Sequence, residues 1–128
     1  MEIVKIEYGD VVQIGKMLKH SKALATDTVV KDVLGHIKDG VALKFVDEGK
    51  ILGVWCSKEF ETHTSLSFFY TDESIRRKPQ LMVFFRNCME QIDLSKPLLL
   101  VAKDVIGFEK YVVKVGENIY QFIGLRNG

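Results

Sequence analysis

Three consecutive cations, Arg76, Arg77 and Lys78, stand between a strand-like run and an amphipathic helix within residues 65–92, SLSFFYTDESIRRKPQLMVFFRNCMEQI. A strand that delivers a cationic loop to a helix N-terminus can hold a phosphate-bearing ligand, because backbone N–H groups and the helix dipole both favour an anion there. Cations are unfavourable at that end of a helix on their own. The cluster therefore either invites a phosphate or a partner's carboxylate, or is a solvated loop, and both readings stay open. His63, just ahead of the strand, is a candidate general base, since histidine is the side chain best suited to exchange protons near neutral pH. A surface or structural histidine is the plainer alternative. His20 and His36 have no partner pattern, and no spacing gathers the three histidines into a metal site. No Ser, His and Asp signature or nucleophile elbow is present. Trp55, Phe68, Phe69, Phe84 and Phe85 follow strand and helix periodicities and read as core, while Tyr70, at a strand end, could stack on a ligand.

The elements that must position these residues follow from hydrophobic periodicity. Residues 2–8 alternate as a first strand. Asp10, with Gln13 three positions on, caps a helix whose stripe is Val11, Ile14, Met17 and Leu18. Asp27 or Thr28 starts a second helix carrying Val29, Val30, Val33, Leu34 and Ile37, ended near Gly40. Residues 41–46 and 51–57 are β-rich and joined by Asp47-Glu48-Gly49-Lys50, which predicts an antiparallel hairpin. Gly53 inside the second run marks a bulge or a close approach. Residues 63–70 complete a three-strand meander. Leu81, Phe84, Phe85, Cys88, Met89 and Ile92 recur at spacings of three and four and predict a crossover helix. Residues 97–101 are a continuous apolar run, expected as a buried strand parallel to the one before the helix. Val105, Phe108, Val112 and Val115 predict a last helix, capped by Asp104 and stopped at Gly116, and residues 119–125 a last strand. The fold class expected is α/β (α+β), a mixed sheet in the order β-α-α-β-β-β-α-β-α-β with one parallel crossover.

A chain of 128 residues is read as one domain, 1–128, with a core that needs no disulfide or metal. Hydrophobic residues at 47% and charged residues at 27% describe a globular mixture, so the chain is expected to fold rather than remain disordered. The formal net charge of +1 gives no global pull toward nucleic acid or acidic membranes. Apolar runs such as residues 97–102 are far shorter than a membrane span, and Met1 is not followed by a basic region and an apolar core, so a soluble, cytoplasmic protein is expected. Cys56 and Cys88 sit in apolar surroundings and read as reduced, buried thiols.

The element order, with RRKPQL following the strand that ends at Phe68 to Thr71, resembles the GNAT acyl-CoA N-acyltransferase fold across nearly the whole chain. In that family the strand before the crossover helix splays from the strand after it, a pantetheine arm lies in the gap, and a pyrophosphate sits on the loop entering the helix. The resemblance implies acetyl-CoA as cofactor, with Phe69, Tyr70, Thr71, Arg76, Arg77, Lys78, Gln80 and Leu81 around it. The family loop is Gln or Arg, two residues, Gly, one residue, then Gly or Ala. With Arg76 in the first place, Pro79 and Leu81 take the places of the small residues. A family tyrosine lies four residues before the glycine that ends the last helix, which is Val112 here with Tyr111 adjacent. The family base falls near Thr64 or Ser65, close to Glu61 and His63. Tyr111, Glu61 and His63 are accordingly the catalytic candidates. Only 12 residues follow Gly116 in a chain of 128, which leaves little room for the hairpin that closes the family's acceptor pocket.

What this implies is an N-acyltransferase-like domain that binds a small-molecule thioester and passes its acyl group to an amine. The departures in the loop motivate a different class: a non-catalytic protein of the same fold, a structural or interaction component of a larger assembly with a protein partner. The compact format is similar to small acyltransferase-like proteins of bacteriophages, some of them located in the virion. A nucleic-acid binder using the RRK loop is the third reading, and the near-neutral charge disfavours it.

Overall fold

Runs of period two build a seven-stranded sheet in the computed structural model, which describes residues 2–19, 29–103, 105 and 108–124. Along the chain come β1 (Glu2–Lys5), a 3-10 turn (Tyr8–Asp10), α1 (Val11–Lys19), α2 (Val29–Asp39), β2 (Val41–Asp47), β3 (Lys50–Glu59) and β4 (Thr64–Thr71). A second 3-10 turn (Glu73–Ile75) then leads into α3 (Pro79–Met89), β5 (Leu98–Val101), a third 3-10 turn (Glu109–Tyr111), β6 (Val112–Gly116) and β7 (Ile119–Phe122). The strands lie in the order β1-β2-β3-β4-β5-β7-β6. All neighbours are antiparallel except β4 and β5, which run parallel on either side of the α3 crossover. The mixed α/β class, the antiparallel meander and the single parallel crossover are those expected from the sequence. No helix among the described residues is long and apolar enough to cross a membrane.

Each face of the sheet has its own core. Val11, Ile14 and Leu18 of α1 and Val33 of α2 pack with Ala42, Val54, Cys56 and Phe68 on one face. Phe84, Phe85 and Cys88 of α3 pack with Leu43, Phe45, Trp55, Leu66, Leu98 and Leu100 on the other. Trp55 is fully buried, with Phe69 at 5.9 Å and Phe85 at 5.7 Å edge-on to it, so the aromatic residues are core as their periodicity predicted. Cys56 and Cys88 are free, buried, and on opposite faces of the sheet. Burial pushes the Cys56 thiol up to about 12 and raises that of Cys88 as well, so both are inert hydrophobes in the folded chain.

The β2–β3 hairpin closes through Glu48 at φ 51° and Gly49 at φ 77°, the two positive values that match the right-handed twist of paired strands. Both alternatives offered for Gly53 hold. Phe45 pairs with Gly53 but Val46 with Ile51, which leaves Leu52 as an extra residue beside it.

Three expectations are corrected. The spacing of Val105, Phe108, Val112 and Val115 does not make a helix: Glu109–Tyr111 is one 3-10 turn and Val112–Gly116 is strand β6. Valine-rich YVVKVG suits a strand, Asn118 at φ 56° makes the turn, and Val112 faces the α3 core while Val113 is exposed. Residues expected to form that helix supply β6 instead, which pairs with β7 as an antiparallel hairpin. β1 stops at Lys5 rather than reaching Tyr8. Asp10 does not pair with Gln13. Its carboxylate takes the Glu7 N–H at 2.8 Å and the Lys44 ammonium at 2.6 Å, fastening the start of α1 to β2. Asp27 and Thr28, the Asp104 cap, and Leu125 lie outside the described residues.

Burial alone would raise the Asp10 carboxyl, but the Lys44 hydrogen bond, the Glu7 N–H and the Lys44 charge outweigh it and hold the group below its ordinary 3.8. A depressed carboxyl contributes stability above the unfolded value and loses it as pH falls through the folded one. The melting temperature should therefore fall more steeply below pH 3.8 in the wild type than in Asp10→Asn. A Cβ on Gly53 would lie 2.7 Å from Cε2 of the buried Phe84 ring. Gly53→Ala is expected to cost about 1–3 kcal/mol in urea unfolding, as other overpacked cores do.

Candidate active site at the parting of two strands

The parallel ladder between β4 and β5 has three rungs, Thr64 to Leu98, Ser65 to Leu99 and Leu66 to Leu100. β4 continues to Thr71, whereas β5 ends at Val101. The ladder stops where β4 carries an extra residue: Ser57 of β3 pairs with Leu66 and Cys56 with Phe68, so Ser67 has no partner. One extra residue reverses the side on which every later side chain lies. Leu66 accordingly enters the α3 core and Phe68 the α1 and α2 core.

The same shift re-aims the backbone. Thr64 donates its N–H to the Pro97 carbonyl on the β5 side, whereas Asp72 donates to Leu52 on the β3 side. By alternation, the outward groups are those of Thr64 and Leu66 before the bulge and of Phe69 and Thr71 after it. The far half of β4 thus presents backbone amide groups along an edge with no paired strand among the described residues. An extended ligand with amide groups of its own can pair with such an edge. On the α3 face the edge is apolar, because Phe108 packs edge-on to Phe69 at 5.5 Å and against Phe85 at 5.3 Å. The Phe69 ring belongs to this aromatic cluster, so what Phe69 offers a ligand is its backbone.

The loop from β4 to α3 is pinned from within. Asp72 accepts from the Ser74 hydroxyl at 2.6 Å and the Ser74 N–H at 3.0 Å, bonds that hold its carboxyl below the usual range with help from Lys50 and Arg76. Ile75 is buried in the α3 core. Arg76 turns back on the strand: its Nε donates to the Thr71 carbonyl at 2.9 Å and its guanidinium lies 5.5 Å from the Tyr70 ring. Arg77 and Lys78 are exposed. Pro79 is the first residue of α3 and has no N–H, while the N–H groups of Arg76, Lys78 and Leu81 go to the carbonyls of Glu73, Ile75 and Lys78. Of residues 76–81, Arg77 and Gln80 keep N–H groups that no loop carbonyl takes. The buried Gln80 Oε1 also lacks a hydrogen-bond partner.

On the other face, α2 reaches the bulge. His36 Nδ1 is 2.6 Å from the Asp32 carbonyl and its Nε2 is 3.2 Å from Ser67 Oγ. A carbonyl can only accept, so in the neutral ring Nδ1 carries the proton and Nε2 presents its lone pair to the Ser67 hydroxyl. The Phe68 ring packs against the imidazole in an edge arrangement, its centroid 6.0 Å away. An open cavity of about 280 Å³ adjoins His36, lined also by Lys31, Asp32, Gly35, Asp39 and Lys58.

The catalytic candidates from the sequence lie elsewhere. Glu61 is exposed in the β3–β4 turn, where His63 stacks on Phe60 at 5.0 Å and meets Thr62 Oγ1 at 3.0 Å. That turn is four residues before Ser67, roughly 13 Å along an extended strand. Tyr111 sits in the 3-10 turn before β6, 6.2 Å from Phe108, with Lys110 over its ring. None of the three makes a hydrogen bond or ring contact with another or with Ser67. Arg76 is in contact with Thr71 and Tyr70 at the end of β4, while Arg77, Lys78, Gln80 and Leu81 follow it in the loop and the first turn of α3. The contact between His36 and Ser67 was not visible in the sequence because 31 positions separate them. A signal was present in the adjacent Phe68 and Phe69, which a strand buries together only when both its faces are covered.

No family model matches the chain, and no curated protein matches it. Solved structures do. Aminoglycoside 6′-acetyltransferase type Ii superposes with a TM-score of 0.64 at 18% identity, over 98% of this chain and 99% of that one. The fold is that of the GNAT acetyltransferases. A GNAT family acetyltransferase from Brucella melitensis in complex with acetyl-CoA gives 0.62 at 11% identity, over 98% and 88%. N-acetylglutamate synthase from Neisseria gonorrhoeae, complexed with coenzyme A and N-acetyl-glutamate, gives 0.67 at 11%, over 90% of this chain and 28% of that one. Identities this low carry the architecture alone.

Arg76 and Arg77 should separate in a stability measurement. Arg76→Ala removes the hydrogen bond to Thr71 and is expected to cost about 1 kcal/mol in urea unfolding. Arg77→Ala, with no partner to lose among the described residues, should stay within about 0.5 kcal/mol.

Proposed function

We propose that this protein is an N-acyltransferase that takes an acyl thioester of the pantetheine type into the opening between β4 and β5 and passes the acyl group to an amine. The observation that carries the reading is the end of the β4–β5 ladder at the Ser67 bulge, which leaves the outward amide groups of Phe69 and Thr71 along an edge of the sheet. The thioester supplies an electrophilic carbonyl carbon on a leaving group. The chain's part is to align that arm on the strand edge, exclude water from it on the Phe69 and Phe108 side, and offer the amine a way to lose its proton.

The residues suit the two halves of acetyl-CoA unequally. Along the arm, the outward N–H and C=O of Phe69 and the N–H of Thr71 match amide groups of the ligand, the Thr71 carbonyl being taken by Arg76. At the diphosphate end, Pro79 has no donor, Arg76 is engaged with Thr71, and Leu81 is bonded to Lys78. Arg77 and Lys78 would hold the phosphates by side-chain charge, together with the N–H groups of Arg77 and Gln80. Most of the affinity is thus assigned to the arm.

Two ligands test this. Millimolar acetyl-CoA should raise the melting temperature, because a ligand bound only by the folded chain stabilises it. S-acetylpantetheine, which lacks the diphosphate, should bind with a Kd within about tenfold of that of acetyl-CoA, a difference near 1.4 kcal/mol. If neither ligand shifts the melt, the thioester reading falls. A preference for acetyl-CoA of more than about a hundredfold would show that the loop does cradle the diphosphate.

A further inference from the structure

We infer that His36 is the proton acceptor of the transfer and works through Ser67, with a primary amine entering from the α2 face of the sheet. The inference rests on the acyl-transfer reading above. Ser67 is the bulge residue, and its hydroxyl is turned toward α2 at the point where the β4–β5 opening begins. The Asp32 carbonyl fixes the tautomer, so the only acceptor nitrogen of the neutral ring faces that hydroxyl. The cavity beside His36 opens to solvent on the face opposite α3, which leaves the α3 side to the thioester arm. Glu61 and His63 have no such position, being at the far end of β4.

The step balances as follows. The amine nitrogen attacks the thioester carbonyl carbon, a C–N bond forms, and the C–S bond breaks with its electron pair passing to sulfur. The proton lost by nitrogen moves to Ser67 Oγ as the Ser67 proton moves to His36 Nε2. The imidazolium keeps its Nδ1–H on the Asp32 carbonyl and later returns a proton to the thiolate through solvent, giving amide and thiol. The groups that surround His36 are Lys31, Asp32 and Asp39 from α2, Lys58 from β3 and Ser67 from β4.

The test begins with ¹⁵N NMR of the wild-type imidazoles, where His36 should carry its proton on Nδ1 with Nε2 bare. A proton on Nε2 in the neutral ring overturns the proposal. Turnover of acetyl-CoA is then followed with hexylamine, tyramine and spermidine for the wild type, His36→Gln and Ser67→Ala. At least one amine should be acetylated by the wild type. Both variants should lose about a hundredfold or more in kcat, with KM for acetyl-CoA little changed, and His36→Gln should lose the acid limb of the kcat profile. Ser67→Ala removes one hydroxyl, so it remains informative if His36→Gln folds poorly. Variants within about threefold of an active wild type overturn the proposal alone. A wild type inert toward all three amines also overturns it, and one that shows no melting shift with acetyl-CoA as well overturns the acyl-transfer reading with it.

Discussion

One unpaired residue, Ser67, sets the phase of the sheet. A parallel ladder needs outward backbone groups at every second residue, and β4 supplies them at Thr64 and Leu66. The next rung would fall at Phe68, but the bulge turns that residue toward β3 and moves the outward groups to Phe69 and Thr71. β5 ends one residue beyond the last rung, at Val101, and its following residue Ala102 stays on the β7 side, donating to the Asn118 carbonyl. The opening is therefore a consequence of register. It requires no distortion elsewhere, since both halves of β4 still bury their side chains, Leu66 on one face and Phe68 on the other.

An open strand edge is costly unless its groups find partners. This chain satisfies part of the edge itself. Arg76 closes the Thr71 carbonyl, and Phe108 shields the flank of Phe69. The first of these has a consequence for ligand binding, because a guanidinium held on the strand end is not free to reach a phosphate. Proline at the start of α3 has the same effect, favouring the helix while removing a donor from its N-terminus. The loop is thus built for its own order before any anion arrives, and the cations left facing solvent are Arg77 and Lys78.

The parts of the fold legible in the sequence were those whose signals are local. Asp47 to Lys50 specifies its turn by composition, and the apolar stripe of α3 has no competing strand reading. The segment after β5 was misread because Val105, Phe108, Val112 and Val115 stand at spacings of three and four. In a strand, Val112 and Val115 need not share a face, and here Val112 is in the core while Val115 is exposed. The density of β-branched residues and the Gly-Glu-Asn turn decided against the helix. The stretch from Tyr70 to Leu81 could be singled out as one segment because it is continuous in sequence. His36 and Ser67 could not, since a helix on one side of the sheet and a bulge within it meet only when the register is known.

The register also divides the two faces of the site chemically. On the α3 side the edge of β4 meets Phe69, Phe85 and Phe108, surroundings that suit an uncharged arm and a carbonyl kept from water. On the α2 side the same strand meets a serine hydroxyl, an imidazole with a fixed tautomer, and two carboxylates and two ammonium groups around an open cavity. The proposed proton transfer would use the second environment and the proposed thioester activation the first. A flat, fully paired sheet would keep them apart by its own thickness. The proposed transfer is therefore set at the bulge, where the β4–β5 ladder ends and Ser67 meets His36.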